Sequence, residues 1–352
     1  MYVLIEEGKA KVKVPKPGKV VSKEMPVFYN PVMKLNRDIS VLLLNAIDKK
    51  GLRIADILAA SGIRSIRFIR ELSKNKINEI SINDYSKDSI KFINNNLKLN
   101  KIKNKKVRVT NEDANLFLLN STGFDYIDID PFGTPNPFLD SAVKRISRDG
   151  ILAVTATDTA ALSGTFPDAC LRKYWAVPLR NELMHEVGLR ILIRKVQLIG
   201  AQFDKALTPV FSYSSHHYLR VFFRCEKGKK AVDNLLAQHG YFSRAGPMWL
   251  GKLWDSKLVI NMEKINKEGS LEKFLSIIKD ESKLNVIGFY DIHKICKRNR
   301  LKIPKRELII KKIKNSGYKV SETHFNPNGL KSDISEKNLI RVIKSQNRNI
   351  AT

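Results

Sequence analysis

A doubly wound α/β sheet followed by a smaller α+β domain is the architecture that this 352-residue sequence predicts. Three observations carry it. From residue 51 to about residue 157, short apolar runs that read as strands alternate with single segments that read as helices, the pattern of a parallel sheet with crossover helices. Two β-rich runs, KALTPVFSYSS and HHYLRVFFRC, then follow one another directly, which predicts a hairpin-like finish with the last strand antiparallel. Past Cys225 the composition shifts. Residues 226–352 hold 27 Lys or Arg against 13 Asp or Glu, half of the net charge of +28 on about a third of the chain.

In chain order, VLIEEG and KAKVKVP read as a short hairpin closed by Pro15 and Pro17. Asp38 is positioned to cap a helix over the apolar run Ile39 to Ile47. RIADILAA is the first strand of the alternating unit, and GIRSIRFIRELSK is helical, with Ile63, Ile66 and Ile69 three apart. EISIND, KDSIKFINNNLKLN and KVRVTNED give strand, helix, strand. FDYIDIDPFG is a strand ending in a turn, PFLDSAVKRISRDG a helix stopped at Gly150, and ILAVTATD a strand. Arg180 to Lys195 is a long amphipathic helix. In the basic C-terminal part, DIHKICKRNR, KRELIIKKIKNSG and YKVSETHF read helix, helix, strand. Pro304 suits a first helical position and Gly317 a helix stop. That order is winged-helix-like, a nucleic-acid platform; a small helical domain that braces the catalytic one fits it equally.

Composition narrows the class. So large a positive surplus costs self-repulsion unless a polyanion binds, and nucleic acid is the first candidate, although a Lys-, Ile- and Asn-rich proteome would also raise it. Cys170, Cys225 and Cys296 are odd in number, far apart and without a C-x-x-C pair, so neither a disulfide framework nor a metal site is expected. Met1 to Gly18 has no apolar stretch of the signal-peptide kind, and no run approaches a membrane span. A cytoplasmic, monomeric protein without a membrane partner is expected.

The chemistry concentrates in Asp128–Ile129–Asp130–Pro131–Phe132–Gly133, at the carboxyl end of an apolar strand, where open α/β sheets bind ligands. The lone pair of an exocyclic amine is delocalised into its base, so the amine is a poor nucleophile. The Asp130 carboxylate and the Pro131 carbonyl can accept its protons and turn the lone pair toward a methyl group, while Phe132 offers a face to the base. A kinase D-F-G is rejected, because no Gly-rich loop or H-R-D accompanies it. Upstream, DILAASGIRS has one glycine, Gly62, where a dinucleotide fingerprint has three, which disfavours a dehydrogenase. Small residues Ala59 to Gly62 still admit a ligand without a pyrophosphate. Asp84, after the second strand, is placed to accept two ribose hydroxyls. Asp113, after the third, can accept from an adenine amine with the Ala114 backbone beside it. Arg37 and Arg64 suit a cofactor carboxylate, or a phosphate. These features point to S-adenosyl-L-methionine and to methylation of an RNA base amine. An adenine-N6 or cytosine-N4 methyltransferase, or a non-catalytic RNA-binding protein on a relic cofactor fold, remains open on the residues alone.

The segments FYNPVMKLNRDIS (28–40), AASGIRSIRF (59–68), DIDPFGTP (128–135) and GILAVTATDTAAL (150–162) resemble the tRNA (guanine-26, N2)-dimethyltransferases of archaea and eukaryotes. ACLRKYWAVPLRNELMHEVGLRIL (169–192), AGPMWLGKLWD (245–255) and ETHFNPNGLKSD (322–333) are similar to that family as well. The resemblance implies a Rossmann-like class I S-adenosylmethionine-dependent methyltransferase domain over 1–225, with the hairpin as an N-terminal extension, and a tRNA-binding domain over 226–352. It implies one or two methyl groups on N2 of guanine 26 of tRNA. It implies cofactor contacts at Arg37, Arg64, Asp84, Asp113 and Ala114, and Phe28 with Phe132 holding the base beside Asp130. Many members carry two C-x-x-C pairs before the AGPxWLG segment. This chain has neither, so something else must order that region.

Overall fold

The structure, a computed structural model, describes residues 2–16, 27–103 and 105–348. A hairpin of β1 (Tyr2–Glu7) and β2 (Ala10–Pro15) opens the chain, turning at Gly8 with φ +56°. Pro17, expected to help close it, lies outside the described residues. α1 (Lys34–Ala46) leads into β3 (Leu52–Asp56), α2 (Ile63–Glu71), β4 (Ile77–Asn83), α3 (Lys87–Leu99), β5 (Val107–Thr110) and α4 (Ala114–Asn120). β6 (Phe124–Ile129), α5 (Asn136–Arg145) and β7 (Ile146–Ala156) follow, then α6 (Thr159–Leu162), α7 (Pro167–Tyr174) and α8 (Met184–Ala201). β8 (Lys205–Ser215) and β9 (Tyr218–Lys227) complete one seven-stranded sheet in the order β5-β4-β3-β6-β7-β9-β8. β3 to β7 pair in parallel, and β9 runs antiparallel to both neighbours, as the adjacent β-rich runs predict.

The apolar core continues beyond residue 225. α9 (Lys229–Leu236), the hairpin β10 (His239–Phe242) and β11 (Ala245–Trp249), α10 (Ser256–Ile265) and α11 (Gly269–Glu281) send Val232, Trp249, Val259 and Ile278 into the same cluster as the sheet. A separate cluster forms from β12 (Tyr290–Asp291), α12 (Ile292–Arg298), α13 (Arg306–Asn315), β13 (Val320–Glu322), β14 (Gly329–Ser332) and α14 (Glu336–Arg348). Its sheet has the order β12-β14-β13, with the two helices α12 and α13 between β12 and β13, which is the winged-helix order. Buried charge joins the two clusters: Lys331 Nζ on β14 donates to both oxygens of Glu186 on α8, at 3.1 and 3.0 Å.

Four local expectations shift. Asn30 caps a short turn over Pro31–Met33, so α1 begins at Lys34. Asp38 therefore sits inside the helix, accepting from Lys34 Nζ (2.7 Å) and Arg67 Nη1 (2.6 Å). α5 stops at Arg145, because Ile146 already pairs with Phe124 of β6; a Cβ on Gly150 would meet the Ile146 side chain, so this glycine serves a close strand contact. Pro304 stands one residue before the cap of α13. Ile292, Ile295, Ile309 and Ile313 are buried as the helical pattern predicts, but Leu308 is 46% exposed.

The segment before AGPMWLG, which has no cysteine pair, is a hairpin clipped to α8. Arg190 Nη1 donates to the carbonyls of Trp249 (3.1 Å) and Gly251 (2.9 Å). His239 lies 2.8 Å from Gln197 Oε1, and Val177 and Gly246 exchange two backbone bonds of 2.8 Å. No helix among the described residues is long and apolar enough to cross a membrane.

Candidate active site

A cleft of about 810 Å³ opens at the carboxyl ends of β3, β4 and β6. Its floor is the turn after β3, where Ala60 (φ +48°) and Gly62 (φ +76°) reverse the chain. Ile93 of α3 lies 3.2 Å from where a Gly62 Cβ would stand, so a side chain there is strained and crowded. Asp84 follows β4. Its Oδ2 accepts from Ala60 N–H (2.8 Å) and its Oδ1 from Ser86 N–H (2.9 Å), which fixes the carboxylate while leaving a lone pair on each oxygen.

Across the cleft, the turn after β6 presents Asp130, Pro131 and Phe132. Thr157, just past β7, holds it through the Gly133 N–H to Thr157 Oγ1 bond (2.6 Å) and the Thr157 N–H to Gly133 carbonyl bond (2.9 Å). Gly133 has φ +84° with open space about it, so backbone conformation alone asks for glycine there. Arg64 of α2 reaches over β3. Its Nη2 donates to Asp130 Oδ2, and its Nη1 donates to Asn36 Oδ1 (2.9 Å) and Ser40 Oγ (3.1 Å). Asp130 Oδ1 is the carboxylate oxygen that the Arg64 bond does not use.

Under that turn lies a buried charge network. Arg220 of β9, fully buried, donates to Asp128 Oδ2 (2.7 Å) and Oδ1 (3.1 Å), to Thr155 Oγ1 (2.8 Å) and to Ser40 Oγ (3.1 Å). Burial raises the Asp128 carboxyl, but Arg220 and then Arg64 outweigh it and hold it below the ordinary carboxylate range. Asp56, at the end of β3, faces the opposite balance. Burial pushes it up to about 7, against the pull of Arg64 and with a further push from Asp128. Ser65 Oγ donates to it at 2.7 Å.

The N-terminal hairpin braces one residue of the wall, Arg37. Glu7, at its turn, takes Arg37 Nε and Nη2 at 2.6 Å each and Arg67 Nη1 at 3.0 Å. Burial raises the Glu7 carboxyl, and the bonds and charges of Arg37 and Arg67 bring it below its usual value. Arg37 thus lines the cleft as a preoriented guanidinium whose Nη1 neither bond to Glu7 uses.

The structure therefore brings Phe28, Arg37, Arg64, Asp84, Asp130, Pro131 and Phe132 to one cleft. Asp113 and Ala114 stand apart from its lining. Asp113 caps α4, its Oδ1 accepting from Asn115 N–H (2.9 Å) and Leu116 N–H (3.2 Å), and Ala114 is buried behind it. Phe28 and Phe132 touch edge to face, with centroids 4.2 Å apart and planes at 73°. A base between two parallel rings needs about 7 Å, two ordinary carbon contacts, so one ring has to swing aside. Sequence reasoning missed Glu7 and Arg220. Their signal is a charged residue in an otherwise apolar strand pattern, as in YLRVFFRC.

This strand order, with an acid after the second strand and an acid–proline–aromatic turn after the fourth, defines a Rossmann-like methyltransferase fold of the S-adenosylmethionine-dependent class. Residues 8–245 and 241–344 match the family described as N2,N2-dimethylguanosine tRNA methyltransferase, and the chain belongs to that family. It is 40% identical to the tRNA (guanine(26)-N(2)/guanine(27)-N(2))-dimethyltransferase of Aquifex aeolicus, over 96% of this chain and 95% of that one. It is 38% identical to the tRNA (guanine(26)-N(2))-dimethyltransferase of Methanocaldococcus jannaschii, over 97% and 98%. The solved structure of Trm1 from Pyrococcus horikoshii with S-adenosyl-L-methionine superposes with a TM-score of 0.88 at 36% identity, covering 97% of this chain and 99% of that one.

Proposed function

We propose that this protein is a cytoplasmic, monomeric enzyme that transfers one or two methyl groups from S-adenosyl-L-methionine to the N2 amine of guanine 26 of tRNA. The observation that carries the reading is the placement of Asp130 and Pro131 across one cleft from Asp84 and the Ala59–Gly62 turn, in a chain of this family. The residues fit the cofactor. Asp84 has two aimed acceptors for vicinal hydroxyls, the small-residue turn admits an adenosine, and Arg37, braced by Glu7, presents a nitrogen to a carboxylate. Asp113 and Ala114, outside the cleft lining, would meet the adenine edge only where the adenosine extends past that lining toward the start of α4. Bound there, S-adenosyl-L-methionine supplies an electrophilic methyl.

The protein does the rest by positioning, which can contribute roughly 7–11 kcal/mol. Asp130 Oδ1 and the Pro131 carbonyl accept hydrogen bonds from the two amine N–H groups and point the lone pair into the cleft. After one transfer the amine is cationic and acidic and would pass one proton to the Asp130 carboxylate, which releases it to solvent when the demethylated cofactor is exchanged for a fresh one. The remaining N–H still has an acceptor, so the same geometry serves a second transfer. The guanine leaves its stack at a cost of a few kcal/mol. Contact with Phe28 and Phe132 offsets about 1–3 kcal/mol of that per stacked base.

Replacing guanine 26 by inosine, which lacks the N2 amine, is expected to abolish transfer to an otherwise unmodified tRNA. Undiminished transfer would place the target elsewhere. The name of the Aquifex aeolicus relative favours a second target, guanine 27, and inosine at each position separately resolves the two.

A further inference from the structure

Beside the base cleft lies a face that the reading above leaves unused. Tyr174, at the end of α7, donates its hydroxyl to Asp158 Oδ1 (2.6 Å) and lies 3.0 Å from Thr134 Oγ1 in the turn that carries Asp130. The Asn136 amide donates to the Lys173 carbonyl at 2.8 Å. The C-terminus of α7 is therefore fixed to the rim of the cleft, and the next residue, Trp175, points outward.

Trp175 holds a left-handed backbone (φ +57°) and is 46% exposed. Lys195 of α8 sits under the indole, its Nζ 3.0 Å from the ring centroid, so the exposed area is the other face. Leu171, Val177 and Tyr241 are also exposed around it. This apolar and aromatic patch is built over two cations that no carboxylate pairs among the described residues. Lys195 is 94% buried, and burial beside Arg194 pushes its ammonium down to about 8. Arg194 donates to the Trp175 carbonyl (3.4 Å), and its Nε is buried without a partner. Desolvated cations next to an exposed indole match the chemistry of a single-stranded nucleic acid, whose phosphate neutralises charge while its base stacks.

We propose that this face is a second RNA contact, in which an unstacked base of the tRNA lies on the outer face of Trp175 and the adjoining phosphate meets Arg194. The inference rests on the tRNA reading above. It gives the flipped target a neighbour held outside the cleft, so that the strand is gripped on both sides of the turn after β6.

The test uses the three tryptophans of the chain. Trp249 and Trp254 are buried, so a base stacking on protein quenches Trp175 alone. Unmodified tRNA transcript is titrated into the full-length wild type, Trp175→Phe, Trp175→Ala and Arg194→Gln, with fluorescence and filter binding as readouts. The expected result is quenching in the wild type and no quenching in Trp175→Phe at near wild-type affinity. Trp175→Ala should bind about 5- to 150-fold more weakly, the loss of one base–aromatic stack. Arg194→Gln should lower the salt slope by about one unit, the loss of one phosphate contact. Quenching that persists in Trp175→Phe, or wild-type affinity in Trp175→Ala, overturns the proposal while leaving the methyltransferase reading intact. A wild type that neither binds nor methylates tRNA overturns both.

Discussion

Replacing Asp130 by Asn tests the acceptor at the centre of the site. The change keeps the shape of the side chain and lets Oδ1 of the amide still accept from Arg64, but it turns the other oxygen into a donor facing the substrate amine. The structural cost is small, for identifiable reasons. Arg64 keeps Asn36 (2.9 Å), Ser40 (3.1 Å) and the Asp128 carboxylate, 3.4 Å from its Nη1. The loss therefore approaches that of one hydrogen bond, on the order of 1 kcal/mol. It stays well short of the roughly 3–5 kcal/mol of a buried ion left without a partner. The chemical cost is large, since losing one preorganised acceptor slows a transfer by about 10²–10³-fold. Single-turnover methylation of saturating tRNA, calorimetric titration of S-adenosyl-L-methionine and thermal unfolding separate these effects. The expected outcome is slow transfer, unchanged cofactor affinity and a melting temperature within a few degrees of wild type. Transfer within about threefold of wild type would refute the assignment, because it would show that no acceptor of catalytic weight was removed.

Asp84→Ala is expected to weaken S-adenosyl-L-methionine binding by roughly 1.5–3 kcal/mol, the worth of hydrogen bonds to a charged group, without changing which nucleotide is modified; calorimetry and nucleoside mapping check both. Asp56 predicts a pH signature. Burial holds its folded pKa at about 7, above the ordinary carboxylate range, so the folded state binds the extra proton between that range and 7 and stability falls as pH rises through that window. Asp56→Asn should therefore raise the melting temperature relative to wild type more at pH 8 than at pH 5, and an equal effect at both would contradict the raised pKa. In the C-terminal domain, Arg298 pairs with Glu336 and Arg306 with Glu322, whereas Lys297, Lys311 and Lys314 stand exposed. Reversing those three to Glu should flatten the salt dependence of tRNA binding by about one unit of slope for each lost phosphate contact and leave cofactor affinity unchanged.

The sheet was legible because its signal is local. Each parallel strand is an apolar run closed by polar turn residues, and the antiparallel finish shows as two strands without a helix between them. The acids after β4 and β6 were legible for the same reason, since position at a strand's carboxyl end is a property of sequence order. What sequence order cannot show is which charges meet across long separations. Glu7 joins Arg37 and Arg67 from a hairpin, and Arg220 joins Asp128 over 92 residues of chain. Asn96 and Asn100 count in the composition as part of an Asn-rich run. In the fold they clip β2 to α3, accepting from Lys13 N–H (2.7 Å) and Lys11 N–H (2.9 Å). Asp38 reads as a cap because Asp favours caps, but Pro31 starts the helix earlier and tertiary pairing with Arg67 places the side chain.

The account is tested most directly by mapping the product. Full-length protein is incubated with an unmodified tRNA transcript and methyl-labelled S-adenosyl-L-methionine, the RNA is cleaved to defined fragments, and the labelled nucleoside is identified by mass spectrometry. The account predicts N2-methyl- or N2,N2-dimethylguanosine at position 26. A label on N6 of adenine or N4 of cytosine, or no label from a protein that binds the cofactor, would contradict it.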